Sequence, residues 1–272
     1  MRCLYVDLDG TLLGPDASLL TGADGRFSLL GARALEACAR AGAEVVIYSG
    51  RRQSSVFDAA RLIGSSAFIF EIGCGLVIDG EREWLTGGVE PSASAGSIFA
   101  QIEACGAPAM LLETFAGRLE YHTPWATGRE VSHLFRGEID LAAAADALQA
   151  AGFGWLRIVD NGVIDVTSDQ LSKVTAMHAY HLVPASASKA RAVARHQQAR
   201  GYAPQDCIAV GDSREDMGAA EVVGTFWLVA NALERDRSLS TDVADRTGVR
   251  VTEAAYGAGV YEAVVTTLTS GG

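Results

Sequence analysis

Short apolar segments that alternate with helix-like segments dominate the first 75 residues of the chain. CLYVDL (3–8), AEVVIYSG (43–50) and AFIFEIG (67–73) are largely apolar, and 28–42 and 54–64 have the spacing of amphipathic helices. Strands without a polar face must be covered on both sides, and intervening helices supply that cover in a parallel sheet. The predicted fold class is therefore α/β, with a Rossmann-like parallel-sheet core.

The pattern changes near residue 76 and returns near residue 182. Between these points, Asp79-Gly80, Gly117 and Asn161-Gly162 each lie between β-rich segments, which predicts hairpins and therefore antiparallel strands. Two helices are predicted in the same region, over 91–106 and 137–152. An α+β cap domain is thus expected to be inserted into the core. The predicted division is a first core segment 1–78, a cap 79–181 and a second core segment 182–272.

Net charge and cysteine pattern limit the partners and the compartment. The formal net charge of −11 argues against nucleic acid or anionic membrane as the main partner, because both require a basic surface. The cysteines are odd in number and form no CxxC pair, which favours reduced thiols and a cytoplasmic location. They are Cys3, Cys38, Cys74, Cys105 and Cys207. No signal-peptide pattern and no apolar run of about 20 residues occurs, so neither secretion nor a membrane span is expected.

Acidic and hydroxyl side chains follow the strands of the predicted core. Asp7 and Asp9 end the first strand, and because alternate side chains share one face, both should point the same way. Two neighbouring carboxylates repel unless a cation or a shared proton relieves them. Asp212 and Ser49 end two further strands. All four side chains are expected at the carboxyl edge of the sheet, where ligands bind in open α/β folds.

Lys189 and Asp216 complete this group. Lys189 lies in the first turn of a predicted helix, and Asp216 follows Asp212 by one helical turn. Carboxylates that converge with a hydroxyl and an ammonium are typical of a magnesium ion shared with a substrate phosphate. We therefore predict Mg²⁺ as cofactor and a small phosphorylated molecule as substrate.

Four segments resemble, in order and spacing, the motifs of the haloacid dehalogenase superfamily of aspartate-nucleophile phosphatases. They are DLDGTLL (7–13), YSGR (48–51), ASKARAV (187–193) and GDSREDM (211–217). The insert lies between the second and third motifs, which resembles the subclass IIB branch with its large α/β cap. That branch includes Cof-like and sugar-phosphate phosphatases.

The resemblance implies a role for each of these residues. Asp7 would attack phosphorus and form an aspartyl-phosphate, and Asp9 would protonate the leaving alkoxide and then activate water. Lys189 would neutralise charge on the phosphoryl oxygens, and Asp216 would position Lys189 or a metal-bound water. The implied Mg²⁺ ligands are Asp7, Asp9 through its carbonyl, and Asp212. The implied phosphate-binding residues are Thr11, Ser49, Gly50 and Asn231.

Glu215 departs from the family pattern, because many relatives have asparagine at this position, where it can contact substrate. The leading interpretation is a Mg²⁺-dependent phosphomonoester hydrolase acting on a sugar or polyol phosphate. Two alternatives stay open at this stage. A phosphotransferase or mutase would use the same aspartyl-phosphate, and a phosphate-binding regulatory protein would have lost turnover.

Residues outside the four motifs carry weaker signals. Arg51 is expected to anchor a loop. His178 and His181 lie three residues apart, but their segment reads as a strand, so no metal role is predicted for them. Candidates for substrate recognition in the cap are Arg118, His122, Arg129, Arg136 and Arg157, although charge on a lid usually only faces solvent.

Overall fold

The computed structural model describes residues 1–270, and its larger sheet, here called the core sheet, has eight strands. From edge to edge they are β12 (Val249–Val251), β11 (Thr225–Leu228), β10 (Cys207–Gly211), β1 (Cys3–Val6), β2 (Glu44–Tyr48), β3 (Ala67–Phe70), β4 (Gly75–Ile78) and β5 (Glu81–Trp84). The first six are parallel to their neighbours, whereas β4 and β5 form an antiparallel edge. The predicted α/β fold with a parallel core is confirmed.

The central strand β1 shows why its sequence has no polar face. Leu4 and Val6 lie in an apolar cluster on one side of the sheet, and Cys3 and Tyr5 lie in a second cluster on the other side. All four side chains are fully buried. A buried side chain of the size of leucine or valine contributes about 1.5–3 kcal/mol to folding, so β1 is held firmly from both sides.

Helices cover both faces of the core sheet. Helices α1 (Leu30–Arg40), α2 (Gln53–Ile63) and α10 (Tyr256–Ser270) contribute to the first cluster, and α6 (Lys189–Arg200) contributes to the second. The remaining core helices are the short α7 (Arg214–Met217), α8 (Ala230–Arg235) and α9 (Leu239–Ala244). No helix within residues 1–270 is long and apolar enough to cross a membrane.

A second sheet of four antiparallel strands lies in the insert. Its order is β6 (Leu119–Tyr121), β7 (His133–Gly137), β9 (His178–Pro184) and β8 (Leu156–Val163). Helices α3 (Ile98–Cys105), α4 (Ala107–Thr114) and α5 (Leu141–Ala150) share an apolar cluster with this sheet. We call residues 98–184 the cap.

Two of the three predicted hairpin turns are wrong. Asp79-Gly80 does connect the antiparallel strands β4 and β5, and both residues have the positive φ that such a turn requires. Gly117 instead lies between α4 and β6. Asn161-Gly162 lies inside β8, where the register against β9 shifts between Asp160 and Val163, so this segment forms a bulge.

The boundaries of the first cap helix and of the cap itself also differ from the predicted ones. The predicted helix over 91–106 begins only at Ile98, because the side chain of Ser97 caps it by accepting a hydrogen bond from the Ala100 amide. Strand β5 still belongs to the core sheet, and β9 continues in the cap sheet to Pro184. The chain therefore passes from the core sheet to the cap, and from the cap back to the core, a few residues later than predicted. The division 1–78, 79–181 and 182–272 stays a prediction.

Candidate active site

The candidate site lies at the carboxyl ends of β10, β1 and β2, which are neighbours in the core sheet. These ends are continued by Asp212, Asp7 and Ser49, respectively. The Asp7 amide donates a hydrogen bond to the Val210 carbonyl over 3.1 Å, which keeps the chain in register just beyond the strand. The parallel pairing thus brings together side chains that are more than 160 residues apart in sequence.

Lys189 joins two carboxylates of this group. Its Nζ lies 2.8 Å from Asp7 Oδ1 and 2.5 Å from Asp216 Oδ1, and the side chain is 1% exposed. Burial opposes the positive charge, but the carboxylates of Asp216 and Asp7 outweigh it and raise the pKa of Lys189. The ammonium is therefore charged throughout the physiological range and is directed at the Asp7 carboxylate.

Asp216 is held by the local backbone as well as by Lys189. Its Oδ2 accepts hydrogen bonds from the Asp212 amide, the Ser213 amide and the Ser213 hydroxyl, at 3.2, 3.1 and 2.7 Å. The Ser213 hydroxyl in turn caps α7. A Cβ at Gly211 would come within 2.3 Å of Asp216 Cβ, so the close turn requires glycine there. This accounts for the spacing of the GDSREDM segment.

Three carboxylates crowd together with too little positive charge around them. Oxygen atoms of Asp7, Asp212 and Asp216 lie within 4.8 Å of one another. Burial raises the pKa of Asp7, and it raises the pKa of Asp212 well above its usual range, with the neighbouring carboxylates adding to both rises. Hard oxygen donors with excess negative charge are the environment that a divalent cation such as Mg²⁺ relieves. The residues present therefore fit the predicted metal.

The Asp9 carboxylate is directed away from this trio. It forms a two-point pair with Arg51, in which Arg51 Nε donates to Asp9 Oδ2 over 2.6 Å and Nη2 donates to Oδ1. The Asp9 side chain is 52% exposed, in contrast to the buried Asp7. Arg51, expected only to anchor a loop, thus holds the predicted acid–base residue.

The predicted phosphate-binding residues differ in how much hydrogen-bonding capacity they have left. The Thr11 hydroxyl is buried and has no hydrogen-bond partner within residues 1–270, and Ser49 is buried beside Asp7. Asn231 uses both ends of its amide: Nδ2 donates to the Gly10 carbonyl and Oδ1 accepts from the Tyr256 amide, both at 2.8 Å. Asn231 therefore fixes the loop after β1, and its assignment to phosphate binding stays a prediction.

Comparisons with known proteins find phosphatases both by sequence and by structure. No family model matches the chain. The phosphoglycolate phosphatase of Halorubrum lacusprofundi is 28% identical over 235 residues, which cover 84% of each chain. The sucrose-phosphatase of Synechocystis, solved with sucrose and phosphate, has a TM-score of 0.65 at 14% identity over 98% of both chains. A phosphatase of the haloalkanoate (HAD) enzyme superfamily from Bacteroides thetaiotaomicron has a TM-score of 0.64 at 16% identity, over 98% of this chain and 95% of its own.

The structural neighbours share the fold over nearly the whole chain, including the cap. The Halorubrum relative is similar in sequence over 84% of the chain. The chain has the fold of the HAD phosphatases, and its cap is inserted between the second and third motifs, as in subclass IIB.

In this chain, Glu215 connects the core to the cap. Its carboxylate pairs with Arg157 on β8, with Nη2 to Oε1 at 2.9 Å and Nη1 to Oε2 at 3.3 Å. Glu215 Oε1 also accepts a hydrogen bond from the Lys189 amide over 3.2 Å. Arg157 additionally donates to the Ala187 carbonyl. The residue that departs from the family pattern thus has a partner from the cap, which no local sequence signal indicates.

A second connection lies beside the YSGR segment. The buried Glu71 carboxylate accepts hydrogen bonds from the amides of Glu130, Val131 and Ser132, at 2.8, 3.0 and 2.6 Å. Arg129 Nη1 donates to the Gly50 carbonyl over 2.9 Å. Three successive cap amides are therefore fixed on one core carboxylate, directly next to an arginine that reaches the predicted phosphate loop.

The other predicted cap cations have different surroundings. Arg136 pairs with Glu120 within the cap sheet, Arg118 is exposed, and His122 is buried with its Nδ1 unpartnered within residues 1–270. His181, which was not predicted to face substrate, lies close to Gly50. No local sequence signal indicates this position, because His181 lies in an apolar strand.

A cleft of 580 Å³ opens between the core and the cap on the Asp9 and Asp212 side of the site. Its lining is rich in aspartate: Asp16, Asp160, Asp165 and Asp236 contribute in addition to the two core residues. Its arginines, Arg214 and Arg235, already pair with aspartates. This side of the site is therefore acidic, whereas the side beside Gly50 carries Arg129.

Proposed function

We propose that this protein is a Mg²⁺-dependent phosphomonoester hydrolase of the HAD superfamily that works through an aspartyl-phosphate on Asp7. The observation that carries the proposal is the buried Asp7 carboxylate held by Lys189 beside Asp212, at the end of three parallel strands. A carboxylate fixed in this way is an oriented nucleophile that needs no proton removed before it attacks.

In the first half of the reaction, an Asp7 oxygen attacks phosphorus and the bond to the leaving alkoxide breaks. Lys189 donates to the phosphoryl oxygens, and the alkoxide takes a proton from Asp9. Arg51 donates to both carboxylate oxygens of Asp9, so the pair must open before Asp9 can carry that proton. In the second half, Asp9 takes a proton from the water that cleaves the aspartyl-phosphate and regenerates Asp7.

Asp7, Asp212 and the Asp9 carbonyl are the proposed Mg²⁺ ligands. When bound, Mg²⁺ would offset the repulsion between these carboxylates and the anionic phosphate. The three crowded carboxylates support this assignment.

The proposed substrate is a small phosphorylated metabolite. The curated relative is a phosphoglycolate phosphatase, and a structural neighbour is a sucrose-phosphatase, so 2-phosphoglycolate and sugar or polyol phosphates are the first compounds to test. The cysteines, which are unpaired in the structure, support a cytoplasmic location for this reaction.

The test uses p-nitrophenyl phosphate and the purified full-length chain. We expect hydrolysis that disappears in EDTA and returns with Mg²⁺ but not with Ca²⁺, because calcium prefers more ligands at longer distances. Asp7→Asn should abolish it, and Asp58→Asn, an exposed carboxylate on α2, is the matched control. Full activity in chelator would refute the metal assignment. Transfer of phosphate to an added alcohol in place of water would identify a phosphotransferase.

A further inference from the structure

A second group of metal-binding side chains lies at the amino edge of the core sheet, opposite the candidate active site. Cys3 and Glu44 are the first residues of the neighbouring strands β1 and β2, and His196 on α6 lies beside them. Asp7 follows Cys3 by four positions along the same strand direction, which separates the two sites by about 13 Å. The group is therefore distinct from the active-site carboxylates.

The three side chains are spaced as zinc ligands are. One ligand atom from each of Cys3, Glu44 and His196 lies within 4.8 Å of the other two. His196 Nε2 is 3.6 Å from Glu44 Oε2, close to the separation of about 3.3–3.4 Å between oxygen and nitrogen ligands of a tetrahedral zinc ion. Small side-chain movements would therefore bring the three atoms to coordination distance.

His196 Nε2 lacks a partner although the ring is fully buried. It makes no hydrogen bond within residues 1–270, because the Glu44 carboxylate is too far away to accept one. A buried polar atom that is left unsatisfied costs free energy, and such atoms are rare in folded proteins. A metal ion between the imidazole, the thiol and the carboxylate would satisfy this nitrogen.

The groups around His196 and Glu44 hold them as the outer partners of metal ligands do. The Tyr5 hydroxyl oxygen lies 2.8 Å from His196 Nδ1. When Nδ1 carries the proton of the ring and donates it to Tyr5, Nε2 keeps its lone pair for a metal. Arg200 Nε donates to Glu44 Oε1 over 3.3 Å, and the Tyr202 hydroxyl donates to Oε2 over 3.0 Å. The carboxylate is thus oriented by two donors beside the imidazole.

The charges and the ligand types fit Zn²⁺ and not Mg²⁺. Burial raises the pKa of the Cys3 thiol well above its usual range, so Zn²⁺ must displace the thiol proton to solvent when it binds. The resulting thiolate and the Glu44 carboxylate then balance the two positive charges, while His196 stays neutral. Sulfur and imidazole nitrogen suit zinc, whereas magnesium requires oxygen ligands.

We propose that Cys3, Glu44 and His196 bind a zinc ion that holds β1, β2 and α6 together. Three protein ligands leave a fourth position for water or for Cys207, which lies opposite Cys3 in the register of β10 against β1. The spacing of the cysteines does not indicate this site, because its ligands come from three distant segments of the chain.

The site bears on the active site through α6. This helix begins at Lys189, whose ammonium contacts the Asp7 carboxylate at the other edge of the sheet. His196 lies two turns further along the same helix. The zinc ion therefore fixes the helix that carries the proposed phosphate-binding cation.

The first experiment titrates the full-length chain, stripped of metal, with Co²⁺ as a spectroscopic substitute for Zn²⁺. Excess Mg²⁺ is present to occupy the carboxylates at the other edge of the sheet. We expect one Co²⁺ per chain to produce the near-ultraviolet charge-transfer band of a cobalt–thiolate bond, which oxygen ligands cannot give. Cys3→Ser should abolish this band. Cys105→Ser, the matched control, removes a partly exposed thiol elsewhere and should leave the band unchanged.

The second experiment measures the stability that zinc provides. At a free Zn²⁺ concentration about 100 times Kd, we expect the Tm of the wild type to rise by about 5–10 °C. His196→Gln should lose this rise. Tyr5→Phe keeps all three ligands but releases the imidazole, so it should weaken zinc binding about 10- to 100-fold while the cobalt–thiolate band persists. A purely structural role for Tyr5 would instead lower Tm equally with and without zinc.

The wild-type measurements decide the matter even if a variant does not fold. Co²⁺ that binds without a thiolate band, or Zn²⁺ that leaves Tm unchanged, would overturn the site. A band that survived in Cys3→Ser would assign the ion to another cysteine and would overturn it as well. None of these results depends on whether the chain hydrolyses phosphate esters.

Discussion

The core and the cap present opposite chemistry to the same site. The core contributes the carboxylates of Asp7, Asp212 and Asp216, around the ammonium of Lys189. On the Gly50 side the cap contributes the guanidinium of Arg129 and the neutral ring of His181. The carboxylates suit a metal and a phosphoryl group, whatever the rest of the substrate is. From this difference we expect reaction chemistry to depend on the core and substrate choice to depend on the cap.

The two regions also differ in how their charged groups are satisfied. Core residues such as Asp216 are fixed by backbone within a few positions of themselves. The cap groups depend on distant partners: Arg157 on Glu215, and Arg129 on the Gly50 carbonyl. Changes in the core should therefore affect every substrate alike, whereas changes at the junction should affect substrates unequally. The following predictions test this contrast.

The largest effect is expected at Asp7. Asp7→Asn removes the nucleophile, so turnover should fall by about 10⁴-fold or more on all substrates, with or without a carboxylate. Rapid-quench kinetics and peptide mapping of the wild type should place the trapped phosphate on Asp7. Phosphate on another residue, or near-normal turnover of the variant, would contradict the proposed division of roles.

The loss of turnover in Asp9→Asn should depend on the leaving group and not on the parts of the substrate that the cap contacts. An alkoxide needs a proton from Asp9, so alkyl phosphates should lose about 10²–10⁴-fold. Nitrophenolate leaves without help, so a burst near one nitrophenol per enzyme should precede a slow phase. Stopped-flow absorbance measures both. An effect that varied with the substrate carboxylate, and not with leaving-group pKa, would assign Asp9 to recognition.

Acid should destabilise the cap through its histidines. Burial lowers the pKa of His122 and His133 to about 4, so the folded state resists protons that the unfolded chain binds below about 6.5. The stability they provide is complete above that pH and is lost as the pH falls towards 4, by up to about 3 kcal/mol for each histidine. Urea unfolding at pH 7.5 and 5.0 measures this. His133→Gln should show a smaller pH dependence, and an unchanged one would refute the explanation.

His178 should act in the opposite direction and more weakly. Its hydrogen bond to Asp160 raises its pKa, so its contribution is present at low pH and is lost as the pH rises through the folded value. Asp160→Asn should therefore steepen the loss of stability towards acid, which the same urea series would reveal.

The smallest effect is expected for the pair between Glu215 and Arg157. Glu215→Asn, which introduces the residue common in relatives, should lower the free energy of unfolding by about 1–2 kcal/mol. In a double-mutant cycle with Arg157→Met, the two losses should be less than additive, because each variant breaks the same pair. Strict additivity would show that the pair does not couple core to cap.

The core and its site were predictable because their determinants are local. The first strand has no polar face, Asp7 and Asp9 come at its end, and Gly10 follows Asp9 directly. These signals all lie within a few residues of one another. Parallel pairing then brings such strand ends together without further information. The predicted association of Asp7, Ser49, Lys189, Asp212 and Asp216 appears in the structure, while their individual roles stay proposals.

The cap was less predictable because its determinants are not local. Asn161-Gly162 has the composition of a hairpin turn, but β9 pairs with both halves of β8 and makes this segment a bulge. His181 lies in a buried strand, and its orientation depends on Ser132, 49 positions away. Only the register of β7 against β9 brings these residues together, and a single sequence does not contain that register.

The Glu71 carboxylate has a consequence for how the protein moves. Lifting the cap near Ser132 would leave a buried carboxylate without its three donors, so this point resists separation and acts as the pivot. We therefore expect the cap to open from the far side, by rotation about Glu71, with the hydrogen bond from Arg235 to the Val163 carbonyl breaking first. Arg129 and Ser132 lie next to the pivot and are displaced least, while the acidic cleft widens most. We expect substrates to enter through the side of the junction that moves.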